Sequence, residues 1–421
     1  MLDRLKSIIH DHDLALLFVA LGILITIAQM YGLYFIFGDQ YIQSRAVMIS
    51  MTMSAPLMCF GFDTSAPLII KQEKNSAFLW NFLLLQTSLM VIFFIAALSV
   101  EHQKTSFILL GLSLGAVFSS KIFIVEYQRG LGQIKQYFFD LHVRDRFYRT
   151  AAILLVAMIF SSITTWAITL LLLSLIYLAI MTSRYWVNLY FDPKSLRRHL
   201  FISTPYLCIS LVIVAFYRLP FYISYFQDSS FYATKIDFWS MMALFILLPY
   251  SNALKFAETA AKDQISVYVK QLKSSWYKTS LQQTGIVILI ACITVIGMFI
   301  EKTEKQDIIE IIVPLTLSIT LISLMPSFCY MAMLSGRTKL SIISAALFLL
   351  LSLICYIPKY LNPDIPVSYL MLVNAGFYII LNFWCSIYFL SIRSYSILRL
   401  RQGLFVGSII FILFGLIYLA A

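Results

Sequence analysis

The chain has 421 residues, of which 61% are hydrophobic and only 12% charged, and its net charge is +11; soluble domains run at about 45–50% apolar and about 25% charged. These figures exclude a water-soluble globule. The positive balance does not mark a nucleic-acid binder, because the Lys and Arg residues fall in short loops between apolar runs and build no basic face on a folded domain.

Runs long enough to cross about 30 Å of hydrocarbon as helix are predicted, in chain order, at 14–38, 45–61, 77–100, 106–127, 147–161, 163–183, 200–217, 236–256, 280–300, 308–334, 340–357 and 367–391, with a thirteenth at 404–421. The expected fold is an all-α polytopic membrane protein with twelve transmembrane helices and a thirteenth, C-terminal span. The segment before Leu14 is short and partly acidic, and no small-residue cleavage site follows the first span, so that span is expected to be retained.

With a cytoplasmic N-terminus, 22 of the 31 basic residues lie on the cytoplasmic side and 7 on the other. Five of the 22 (Arg129, Lys135, Arg144, Arg146, Arg149) are assigned to the connection between the fourth and fifth spans. Positive residues accumulate on the cytoplasmic side of membrane proteins, so the first twelve spans start and finish there. The thirteenth then leads outward.

The halves are weakly alike. Pro56 sits midway along the second span and Pro249 midway along the eighth, while GQIK (Gly132–Lys135) follows the fourth span and GRTK (Gly336–Lys339) the tenth. Six spans per half give both halves one orientation, hence two parallel six-helix repeats. The expected parts are a half at 1–200, a half at 201–392, and a basic linker with a terminal apolar helix at 393–421. The six cysteines lie in apolar segments without CxxC spacing and read as small hydrophobes. All five histidines fall in tails or loops, and there is no P-loop, GxSxG elbow or metal-spaced cluster.

Three phrases carry a family resemblance. Gly61-Phe62-Asp63-Thr64-Ser65-Ala66 closes the second span, Gln128-Arg129-Gly130-Leu131-Gly132-Gln133-Ile134-Lys135-Gln136-Tyr137 follows the fourth, and Ser335-Gly336-Arg337-Thr338-Lys339 precedes the eleventh. In order and spacing they resemble the Wzx-like O-antigen and exopolysaccharide flippases of the multidrug/oligosaccharidyl-lipid/polysaccharide superfamily, over roughly residues 1–392. The chain departs from that pattern at Tyr217-Arg218, where many relatives have an Asp-Arg-like pair, and in its terminal apolar run. The resemblance implies a transporter of the bacterial cytoplasmic membrane that carries undecaprenyl-pyrophosphate-linked oligosaccharide. It also implies a polymerase and chain-length proteins of the same pathway as partners, no nucleic acid, and no cofactor beyond a coupling proton or sodium ion.

Carrying pyrophosphate past hydrocarbon calls for cations facing a polar cavity, with Arg offering bidentate hydrogen bonds and Lys a point charge. Lys121 lies deep in the fourth span, where a charge must snorkel, pair or face water; Glu126 is the acid within reach along the helix. Arg45 at the outer start of the second span and Arg218 at the outer end of the seventh are the other candidate cavity cations. Asp63 and Asp237 are candidates for pairing with them or for holding a coupling ion. Gln29, Asn81, Gln86, Asn252, Asn374 and Asn382 are expected to join helices by hydrogen bonds. Pro56, Pro205, Pro249, Pro314 and Pro326 are candidate hinges. Trp80, Trp166, Trp186, Trp239 and Trp276 read as interfacial anchors, and Tyr217, Tyr222 and Tyr225 as candidates to stack on sugars.

Two rival functions fit less well. A membrane polysaccharide polymerase places catalytic residues on a large external loop, and the longest here, about 218–235, is short. An ion-coupled multidrug exporter of the same superfamily commonly has an acidic residue in its first span, and none stands within 14–38 before its end.

Overall fold

The computed structural model describes residues 2–61, 77–130, 138–183, 193–227, 230–250, 253–254, 257, 265–300, 304–323, 335–388 and 393–420. Among these residues there are helices and no strands. That is the outcome hydrocarbon imposes: without water to bond stray N–H and C=O groups, an apolar segment satisfies its backbone by closing into helix.

Each predicted run falls on a helix over the greater part of its described residues. In chain order these are α1 (Leu2–Phe37), α2 (Tyr41–Met58), α3 (Ala77–Ser99), α4 (Gln103–Gly130), α5 (Asp145–Ile159), α6 (Ile163–Ser183), α7 (Pro193–Gln227), α8 (Ser230–Leu244), α9 (Ile265–Ile300), α10 (Val313–Ser323), α11 (Thr338–Leu361), α12 (Val367–Tyr388) and α13 (Arg393–Ala420). Ten helical stretches among the described residues are long and apolar enough to cross a membrane, with α1 and α2 counted as one. The short α5 and α8 have 15 residues each. A π turn at Asp140–Arg144 runs straight into α5, and another at Ile308–Ile312 runs into α10.

The chain divides into two compact units, Met1–Ser210 and Leu211–Ala421. In the first, α2 lies along α4 and α3 forms a hairpin with it. Ser106 and Ser113 on α4 donate to the carbonyls of Ala97 and Met90 on α3, at 2.9 and 3.0 Å. The α2–α4 approach is close enough that a Cβ on Gly111 would run into the Val47 carbonyl and the Ser50 side chain. Gly61 is fixed by two constraints: its φ of +79° is left-handed, and a Cβ there would meet the α7 backbone at Ser203 and Leu207. The glycine of the second-span phrase is thus a packing requirement.

Polar side chains tie helix to helix, as expected for most of the buried amides. Thr150 on α5 donates to Gln29 on α1 at 3.0 Å, and Gln86 on α3 donates to the Met58 carbonyl at the end of α2. Ser352 on α11 donates to Asn374 on α12 at 3.2 Å. Asn382 instead bonds the Tyr378 carbonyl of its own helix, and Asn81 is fully buried. Asn252 and Pro326 lie outside the described residues.

Two tryptophans correct the expectation of interfacial anchoring. Trp166 is 0% exposed, donates to the Ile153 carbonyl at 3.0 Å and stands edge-on to Phe37. Trp239 is also buried. An indole N–H that finds a buried carbonyl does not need the water–lipid boundary to satisfy it.

In the second unit α10 packs against α8, α12 and α13, and α9 against α13. A fully buried Gln283 on α9 is the hub. It donates to Ser323 on α10 at 2.7 Å and to the Ile246 carbonyl at 3.1 Å, and accepts from Gln402 on α13 at 2.9 Å. At the other end of α13, the Lys305 ammonium sits 4.5 Å over the Tyr418 ring. Residues 402 and 418 therefore flank the two ends of the 283–305 stretch, so α13 runs alongside α9, in the same direction, through the thickness of this unit. A two-pronged ion pair, Lys235 to both carboxylate oxygens of Asp307 at 2.9 and 2.7 Å, pins α8 to the turn before α10.

Candidate functional site

The first unit contains a cleft bounded by α4, α5 and α6, with Met51 of α2 also lining it. Connectivity places the end of α4, the start of α5 and the end of α6 on one face, the one rich in Arg and Lys. Lys121, Arg149 and Tyr177 line the cleft toward this basic face.

Lys121 does not rely on Glu126. Its ammonium is ion-paired with Asp145, the first residue of α5, and both side chains are largely buried at 14% and 6% exposure. The ammonium also lies 4.3 Å from the centroid of the Tyr177 ring and 5.9 Å from that of Phe118. Aromatic faces stabilise a partly desolvated cation by about 0.5–2 kcal/mol each. Glu126 is the nearest acid along the helix, but the π turn ahead of α5 touches α4, and Asp145, which follows that turn directly, is the acid in contact with Lys121.

Arg149 stands one turn further along α5, with its guanidinium 4.6 Å over the same Phe118 ring. Among the described residues, no acceptor bonds its buried Nε and Nη1. The neighbouring charges are otherwise matched or tethered: Arg144 pairs with Asp140 at 2.8 Å, and Arg146 donates to Thr26 on α1 at 3.2 Å. Two cations, Lys121 and Arg149, thus share one ring, and the carboxylate of Asp145 pairs with Lys121. The cleft carries a surplus positive charge, and a guanidinium with open donors on adjacent nitrogens suits bidentate bonding to an oxyanion.

The sequence-predicted site residues are divided between the two units. Lys121 is in the cleft. Arg45 is buried near the start of α2, at the end of the first unit remote from the basic face. Arg218 on α7 and the buried Asp237 on α8 belong to the second unit. Asp63 lies outside the described residues. Arg149, a loop cation by sequence, is the residue that the sequence reading misses. The signal is present, since 149 falls inside the run predicted at 147–161 and a charge within a span marks a functional candidate.

No protein-family model matches the chain, and no curated protein matches it in sequence. Solved structures do match over nearly its whole length. The MATE multidrug transporter DinF-BH, in a ligand complex, aligns with a TM-score of 0.62 and 12% identity, covering 93% of this chain and 96% of its own. The fold is MATE-like. A MOP superfamily transporter from Pyrococcus furiosus, described as having a binding pocket of reverse polarity that suggests a different function, aligns with a TM-score of 0.55 and 11% identity over 97% and 96% of the two chains. A MATE protein in the straight conformation aligns at 0.54 and 10% identity, again over 97% and 96%. At such identities the likeness is one of architecture, and the MATE-like fold leaves the function open. Local chemistry has to supply it.

Proposed function

We propose that the protein translocates an anionic lipid-linked sugar, undecaprenyl-pyrophosphate-linked oligosaccharide, across the cytoplasmic membrane by alternating access, for O-antigen, capsule or exopolysaccharide synthesis. The supporting observation is the surplus cation of the first-unit cleft: Asp145 offsets Lys121, while Arg149 keeps donors open beside it. A phosphate leaving water for a membrane protein loses hydration that only such groups replace. The MATE-like fold supports transport rather than catalysis as the general activity.

Export of drugs is the second reading, favoured by the likeness to DinF-BH. Cationic amphiphiles would meet like charge at Lys121 and Arg149, which weighs against them. The test is complementation of a flippase-null bacterial strain, scoring lipid-linked repeat units at the outer face of the membrane. Restored outer-face units support the proposal. Units that stay inside, with raised drug resistance in the same cells, overturn it in favour of drug export.

A further inference from the structure

The helix that carries α10 runs unbroken from Lys305 to Ser323, with the π turn at Ile308–Ile312 inside it. Val313 donates to the Ile308 carbonyl, five residues back. Pro314 follows, buried, in the interior of that helix and not in a first turn where its missing N–H would cost little. An α pattern would give the Glu310 carbonyl the N–H of residue 314, and a π pattern would give that N–H to Ile309; proline serves neither. Ser368, buried at the start of α12, donates its hydroxyl to the Glu310 carbonyl in its place. Two causes of a change in helix direction, a π turn and a proline, thus fall together at 308–314. The other π turn among the described residues differs: Arg144 and Asp140 pair across it at 2.8 Å, and the α5 that follows has no proline.

The start of this helix is fastened from two neighbours. On α8, Lys235 donates to both carboxylate oxygens of Asp307, the residue just before the π turn, and Asp307 also accepts the Glu304 N–H at 3.1 Å. On α12, Ser368 holds the carbonyl that Pro314 cannot serve. The Lys235 side chain is 21% exposed, so water reaches the ion pair. Exchanging such a pair for hydration costs far less than opening a sealed one. We propose that 308–314 is a hinge in α10, and that the Lys235–Asp307 pair and the Ser368–Glu310 bond form the latch that holds it in the direction observed. Releasing the latch lets α10 bend, a hinge being a few residues that absorb a change in backbone direction. The distribution of Lys and Arg puts this end of the second unit outside, so the hinge would act on opening at the outer face. It would serve whatever molecule is carried, and so does not depend on the flippase reading.

The test is electron–electron double resonance on the full-length protein in nanodiscs, freed of its native cysteines. Nitroxide labels go at Gln306, exposed at the start of the helix, and at Leu361, exposed at the end of α11. A second pair, at Leu353 on α11 and Leu404 on α13, both exposed, reports whether the rest of the unit keeps its shape. The unmodified protein should give one dominant 306–361 distance. Lys235→Met should raise the population of a second distance by about tenfold or more, the factor that a charged hydrogen-bond pair carries, with the 353–404 distance unchanged. Ser368→Ala, which removes the neutral contact, should shift the 306–361 pair the same way and by less. Adding Pro314→Ala to Lys235→Met returns an N–H to the helix and should restore the single distance. A 306–361 distance unmoved by both Lys235→Met and Ser368→Ala would overturn the latch. A second distance that survives in the Lys235→Met/Pro314→Ala protein would overturn the hinge, as would broadening of the 353–404 pair in step with it, the mark of a loosened unit.

Discussion

Replacing Asp145 by Asn removes the counter-charge of Lys121 while keeping the shape of the side chain. Both partners are largely buried, so the ammonium has little water to turn to. Removing one member of a buried pair costs about 3–5 kcal/mol. Arg149, over the same Phe118 ring, adds repulsion, while the Tyr177 and Phe118 faces stay in place and offset about 0.5–2 kcal/mol. A net loss of about 2–4 kcal/mol is expected. For a unit of 210 residues, at about 2–4 °C per kcal/mol, melting should fall by about 4–16 °C. The assay is thermal unfolding in detergent of D145N, K121M and the double variant, read as a cycle. K121M/D145N should recover most of the D145N loss, because the stranded charge is gone. Equal melting of D145N and the unmodified protein, or a double variant that loses the sum of both single losses, would refute the pairing.

Three further outcomes follow from the packing. Gly61→Ala should lower melting and yield by more than about 1–2 kcal/mol, the penalty of a left-handed non-glycine residue alone, because the new Cβ also meets the α7 backbone; yield and melting equal to those of the unmodified protein would contradict this. Gln283→Leu strips partners from Ser323, the Ile246 carbonyl and Gln402 together, so a loss of about 1–3 kcal/mol or more is expected by chemical denaturation, and trimming of α13 by protease should speed up. A reporter fused after α13 should be active outside the cytoplasm and one placed at the Ser335–Gly336 turn inactive there, since α13 runs with α9 from the basic face outward; the same side for both would overturn that course.

The helical plan was legible because each apolar run is a local property of the chain. The described residues of the predicted runs lie mostly on helices, and the long α1, α7 and α9 differ in running past the apolar stretch, where sequence loses hydrophobicity but not helix propensity. Gly336 lies in the turn ahead of α11 as the third phrase implied. The partners of individual side chains were not legible. Asp145 reaches Lys121 through a π turn that shifts the start of α5, and no hydrophobicity pattern announces one extra residue in a turn. Gln402 meets Gln283 across 119 residues, a pairing that only tertiary packing creates. Trp166 was misplaced because an indole in a span looks alike whether its N–H meets water at the boundary or the Ile153 carbonyl within the core.

The central claim, that surplus positive charge in the first unit serves an anionic lipid-linked sugar, is tested most directly by reconstitution. Proteoliposomes of the unmodified protein and of Arg149→Gln would be loaded with undecaprenyl-pyrophosphate-linked oligosaccharide, and its appearance in the opposite leaflet followed with a membrane-impermeant glycosidase. The account predicts time-dependent exposure by the unmodified protein and a rate lower by about tenfold or more for Arg149→Gln, in line with the loss of a charged hydrogen-bonding group. Equal rates for the two proteins, or no exposure by either while a cationic dye is transported, would contradict it.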